Sequence, residues 1–139
     1  MPKFSPKSIS KLSTCDDDLI ALFNHVVESY DCIILEGHRS KEDQEEYFNT
    51  GKSKLDWPNS LHNSNPSMAV DVAPYPIEWN NTKRFYHFAG FVKGAFRELQ
   101  NSGEISENWM LRWGGDWDSD NDLDDQSFVD LVHFELVER

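Results

Sequence analysis

The stretch Asp130-Leu131-Val132-His133-Phe134-Glu135-Leu136-Val137 alternates from Val132 onward, with Val132, Phe134 and Leu136 on one side of an extended backbone and His133 and Glu135 on the other. A period of two predicts a half-buried strand, its apolar face against a core and its polar face turned elsewhere. Residues 68–75 repeat the pattern: Val70 and Val72 oppose Asp71, and Pro74 and Pro76 close the run. The β-branched run 32–35, ended by Gly37, and residues 109–113 supply two more strands.

Helical periods separate these strands. Over 16–30, Leu19, Ile20, Phe23, Val26, Val27 and Tyr30 share one face, with Thr14 or Asp16 as N-cap. Ser40 caps a second helix over 41–49, stopped by Gly51. A third, over 81–100, carries the stripe Phe85, Phe88, Ala89, Val92, Ala95, Phe96 and Leu99 and stops at Gly103. Residues 52–67 have no period and contain two prolines, which reads as a long surface loop. With no repeat and no linker, the expectation is one α+β domain over 1–139: a small, largely antiparallel sheet with helices on one face and polar residues on the other.

The 13 Lys and Arg against 25 Asp and Glu give a net charge of −12, which repels phosphate backbones and argues against a nucleic-acid partner. No apolar run approaches the ~20 residues of a membrane span, so no membrane insertion is expected. The start of the chain, with Lys3, Lys7 and Lys11, has no signal-peptide core, which predicts synthesis in the cytosol. Cys15 and Cys32 lie in no CxxC or Cys/His spacing and read as free thiols.

Chemistry belongs on the polar face. Asp71 and His133 stand there on two strands, and His62 lies in the loop that feeds the first. Three such ligands with an open fourth position suit a catalytic zinc ion. Hydrolysis also needs a group that takes a proton from water, and Asp130, three residues before His133, can supply a carboxylate beside the metal. A single histidine is more often a surface or satisfied side chain, and His25 and His87, within helices, are read so; His38 beside Arg39 is left open. Asp116, Asp118, Asp120 and Asp122 alternate like the first ligands of a calcium loop. Neither register places Gly sixth or Glu twelfth, so a solvated acidic loop is the expectation and Ca2+ the alternative; a bound ion would order a segment running into Asp130.

Six elements in order carry a family resemblance: Glu36-Gly-His-Arg-Ser40 with Gln44, Gly51-Lys-Ser53, Ser60-Leu-His62, Ala69-Val-Asp71, Arg112-Trp-Gly-Gly-Asp-Trp117, and Asp130-Leu-Val-His-Phe-Glu135. Over nearly the whole chain they resemble the D-alanyl-D-alanine carboxypeptidase (VanY-like) zinc peptidases, and most of all the L-alanyl-D-glutamate peptidases found as phage endolysins. The resemblance implies a hedgehog/DD-peptidase-like fold, zinc held by His62, Asp71 and His133, and Asp130 as general base and then acid. It implies that Arg39 contacts substrate and stabilises the oxyanion, and that Ser60 and Gln44 lie near the substrate. Glu135 either orients a ligand or is a solvated acid. The implied activity is cleavage of the L-alanyl-D-glutamate bond of the peptidoglycan stem peptide for host-cell lysis. Such an enzyme would be a monomer without a wall-binding domain, made in the host cytoplasm and acting in the periplasm or wall after release, with a holin implied by analogy. Two alternatives stay open: a D,D-carboxypeptidase that removes D-alanine, and a non-catalytic zinc-stabilised binding module. One departure stands out. The family spacing Ser-x-His-x-x-Gly-x-Ala-x-Asp is here two residues longer between His62 and Asp71 and lacks the glycine.

Overall fold

The computed structural model describes residues 2–139. Its four strands are β1 (Cys32–Glu36), β2 (Ala69–Pro74), β3 (Trp109–Trp113) and β4 (His133–Glu138), in the order β1-β2-β4-β3. Every neighbouring pair is antiparallel. The last strand of the chain therefore inserts into the middle of the sheet, beside β2.

Register decides what each face carries. Val70 pairs with Phe134, Asp71 with His133 and Ala69 with Glu135, while across the other edge Trp113 meets Phe134 and Arg112 meets Glu135. Side chains alternate, so Val70, Val72, Trp113, Phe134 and Leu136 share one face and Asp71, Arg112, His133 and Glu135 the other. A slip of one residue would exchange the two sets.

The apolar face is covered by helices. α1 (Pro6–Leu12) packs on β1; α2 (Asp17–Ser29) and α4 (Thr82–Asn101) pack on each other, and α4 crosses β2 and β3. Phe134 sits at the centre with its ring 5.5 Å from Phe23 and 6.1 Å from Phe88, both edge to face. Burying an aromatic of this kind stabilises the fold by roughly 1.5–3 kcal/mol. Asp16, not Thr14, caps α2, its carboxylate accepting from the Asp18 amide, and Ser40 caps α3 (Lys41–Asn49) as expected.

Some features differ from the expectation. α1 was not foreseen; Ser5 caps it, Pro6 opens it and Leu12 anchors it in the core. α3 does not lie on the apolar face, because the one side chain it buries is the polar Gln44. The loop 52–67 contains a 3-10 turn, Leu61–Asn63. Cys15 and Cys32 are free, and burial pushes both thiols up to about 12, so neither is a nucleophile at neutral pH. Among the described residues no helix is long and apolar enough to cross a membrane.

Candidate metal centre

Antiparallel pairing sets Asp71 Oδ1 3.2 Å from His133 Nδ1 on the polar face. His62 arrives from the 3-10 turn, which Ser60 caps: Ser60 Oγ accepts from the His62 amide at 3.2 Å, and Asn63 Oδ1 accepts from the Ser60 amide at 3.1 Å. His62 Nε2 then stands 3.2 Å from Asp71 Oδ1 and 3.3 Å from His133 Nδ1. The longer connection to Asp71 is taken up by a turn in which Ser64 Oγ lies 3.0 Å from the Leu61 carbonyl and accepts from the Met68 amide at 3.1 Å.

The outer nitrogens fix what the inner ones can do. His62 Nδ1 donates to the Gly37 carbonyl at 2.7 Å, and His133 Nε2 donates to Glu135 Oε1 at 2.6 Å. Both protons are therefore spent outward, and His62 Nε2 and His133 Nδ1 face Asp71 as lone pairs. Three acceptors this close repel unless positive charge lies between them. A tetrahedral zinc ion with bonds of about 2.0–2.1 Å would separate its ligand atoms by about 3.3–3.4 Å, so the set fits in both identity and spacing. A proton competes for the same place. Burial disfavours charge on His133, but the Asp71 and Glu135 carboxylates outweigh it and push the imidazole up to about 9. Burial would likewise raise Asp71, yet His62 and His133 hold its carboxyl far below the usual range.

Two supports of this cluster were not singled out from the sequence. A Cβ on Gly37 would lie 2.3 Å from Thr14 Oγ1 and 2.4 Å from the Lys11 carbonyl, so only glycine lets this backbone press against the end of α1 while its carbonyl holds His62. Arg112, opposite Glu135 on β3, donates to Glu135 Oε2 from Nε at 2.8 Å and also from Nη2. Arg112 was legible as a motif residue, but its partner follows only from the register.

His62 and His133 of the cluster line a cleft of about 450 Å3, together with Asp130, Arg39 and Ser60. Burial, and then the negative charge of Asp71, raise the Asp130 carboxyl above its ordinary value. Its amide donates to the Gly114 carbonyl at 2.9 Å, and a Cβ on Gly114 would stand 2.1 Å from the Asp130 carbonyl, so that approach requires glycine. Arg39 is only 7% exposed. Its Nε donates to Glu36 at 2.7 Å and its Nη1 to Gln44 Oε1 at 2.8 Å, while Nη2 reaches to 3.8 Å from Asp71.

Gln44, which the resemblance puts near the substrate, is fully buried behind Arg39, where Oε1 accepts from Arg39 and Nε2 donates to Ser53 Oγ at 3.0 Å and the Leu55 carbonyl at 2.6 Å. Both its side-chain polar atoms are used inside the protein. In the acidic loop, Asp116, Asp118 and Asp120 each offer an oxygen within 4.8 Å of the others, whereas Asp122 lies outside this group and accepts from the Asp124 amide at 2.9 Å. Asp116 is wholly buried: Oδ2 accepts from the Asn121 amide at 2.9 Å and faces Lys93 at 3.7 Å, and Oδ1 has no partner.

Fold and cluster together define a class, a small α+β domain with a candidate His-Asp-His metal centre on the polar face of its sheet. The family model of the phage L-alanyl-D-glutamate peptidases matches residues 1–137, and the chain belongs to that family. The L-alanyl-D-glutamate peptidase of Escherichia phage T5 is 29% identical over 143 residues, covering 97% of this chain and 98% of its own. Among solved structures, the Serratia marcescens L-Ala D-Glu endopeptidase ChiX shares the fold, with a TM-score of 0.72 at 23% identity over 97% of this chain and 90% of its own.

Proposed function

We propose that this protein is a zinc-dependent endopeptidase that hydrolyses the L-alanyl-D-glutamate bond of the peptidoglycan stem peptide. The observation that carries this reading is the triangle of His62 Nε2, Asp71 Oδ1 and His133 Nδ1, with sides of 3.2–3.3 Å, whose two histidines line the same cleft as Asp130. Its setting would be that of a phage endolysin: a monomer made in the host cytoplasm that reaches the wall after release, with a holin opening the way.

When bound, zinc would polarise the scissile carbonyl and lower the pKa of a water towards 7. Asp130 accepts that water's proton and passes it to the leaving amine; a carboxyl with a raised pKa suits both halves of the task. Arg39 keeps a fixed positive charge beside Asp71 and offsets the negative charge that grows on the carbonyl oxygen. Glu135 and the Gly37 carbonyl hold the imidazoles in the tautomers that ligation needs, and Ser60 holds the turn beneath His62.

Zinc-loaded protein incubated with purified muropeptides, and read by mass spectrometry, should release fragments cut between L-alanine and D-glutamate. Release of D-alanine instead would assign a D,D-carboxypeptidase. Asp130→Ala should keep zinc and lose hydrolysis by at least about a hundredfold, whereas His133→Ala should lose both. Full hydrolysis by Asp130→Ala would sink the mechanism, and zinc binding without any hydrolysis would favour the binding module.

The acidic loop is a second cation candidate, for calcium. Asp116, whose Oδ1 is buried and without a partner, offers an oxygen within 4.8 Å of those of Asp118 and Asp120. Oxygen donors of this kind suit a hard divalent ion, which would order the segment leading to Asp130.

A further inference from the structure

Four cations line the cleft: Arg39, Arg112, Lys52 and Lys54. Two are already ion-paired, Arg39 with Glu36 and Arg112 with Glu135. Among the described residues neither lysine lies within ion-pair distance of a carboxylate. Lys52 Nζ rests 5.5 Å from the Tyr47 ring, which the Arg39 guanidinium also covers at 4.4 Å. Lys54 Nζ rests 5.6 Å from the Phe128 ring.

Lys54 stands at the end of a wall that leads to the metal cluster. Phe128 stacks on Trp117, ring centres 6.3 Å apart and planes 23° from parallel, and the Trp117 ring lies 5.3 Å from that of His133. Trp117 Nε1 donates to the Phe128 carbonyl at 2.8 Å, which keeps the two rings together. The backbone on either side of Lys54 is pinned. Buried Gln44 bonds to the Ser53 hydroxyl and the Leu55 carbonyl, and Ser53 Oγ accepts from the Leu55 amide at 3.2 Å. The stem of Lys54 is thus fixed at its root by the same amide that holds Arg39, while its exposed four-carbon chain can swing from a ring face to an anion.

Substrate chemistry asks for such a cation. A glutamate acylated on its amine has two carboxyl groups, and only one can continue the peptide. The other remains an anion within a few bonds of the scissile nitrogen, and it must enter a protein of net charge −12 past Asp130. We infer that Lys54 binds the free carboxylate of the substrate's D-glutamyl residue and so sets the preference for a charged over an amidated stem peptide. This rests on the L-alanyl-D-glutamate reading above.

The test uses the zinc-loaded protein and two synthetic stem peptides that differ only in whether this carboxyl is free or a carboxamide. The wild type should favour the carboxylate peptide by about tenfold in kcat/KM, mainly through KM, as for one charge-assisted bond. Lys54→Met should collapse the ratio of the two peptides to near one, and Lys54→Arg should restore most of it. No preference in the wild type, or an equal loss on both peptides in Lys54→Met, overturns the inference while leaving the peptidase reading standing. Cleavage of neither peptide by the wild type overturns that reading and the inference with it.

Discussion

His133 is held by two carboxylates, Asp71 at 3.2 Å on one nitrogen and Glu135 at 2.6 Å on the other, and this decides how the site meets protons and metal. Its folded pKa of about 9 exceeds the ordinary 6.5, so between those values the metal-free fold keeps a proton that the unfolded chain has released. That stabilisation is complete below about pH 6.5 and is lost as pH rises through 9. Metal must displace the same proton. Zinc affinity should therefore climb towards tenfold per pH unit from 7 to 9 and level off above, with close to one proton released per ion at pH 7.5, measurable by calorimetry in buffers of different ionisation enthalpy. Glu135→Gln removes the charge that draws the Nε2 proton outward. It should weaken zinc binding about 10–100-fold, read by competition with a chromogenic chelator.

At the scale of elements, α3 and the loop after it are joined to the site through one side chain. Gln44 bonds to Arg39, Asn63, Ser53 and Leu55, and its truncation leaves a buried guanidinium N–H without its acceptor and the Leu55 carbonyl with only Ser53 Oγ at 3.3 Å. Gln44→Ala should cost about 1–3 kcal/mol, seen as a Tm lower by several degrees in thermal unfolding, together with a raised KM as the Lys54 root loosens. The same residue marks where sequence reading ends. Strand alternation placed Asp71 and His133 on one polar face because a period of two is a local property of the chain, and the stripes of α2 and α4 were legible for the same reason. The direction in which Gln44 reaches depends on contacts five to nineteen residues away, which no period records. His62 rested chiefly on the motif, since the carbonyl that aims it belongs to Gly37, 25 residues earlier. α1 escaped notice because it is seven residues long with three lysines in its neighbourhood, too short for a stripe to show.

For the whole molecule, metal and fold should be linked through the middle of the sheet. β2 and β4 are the central pair, each carries one residue of the candidate metal cluster, and His62 ties the 3-10 turn to both. An ion bound there joins strands that are distant in sequence, so it should stabilise the entire domain rather than a corner of it. Zinc at 100 to 1,000 times its dissociation constant adds about 2.7–4.1 kcal/mol. For a chain of this length that is a rise in Tm on the order of 10 °C. The acidic loop offers an independent check, because Asp116 is buried against Lys93 of α4 and the triad it forms with Asp118 and Asp120 shares no residue with the His62-Asp71-His133 cluster. In scanning calorimetry, His133→Ala should abolish the zinc shift and leave any calcium shift in place. Asp116→Asn should do the reverse, since an amide cannot supply the missing charge. A calcium shift that disappears with His133, or one untouched by Asp116→Asn, would remove the acidic loop from the list of metal sites and leave Asp118 and Asp120 as solvated surface acids.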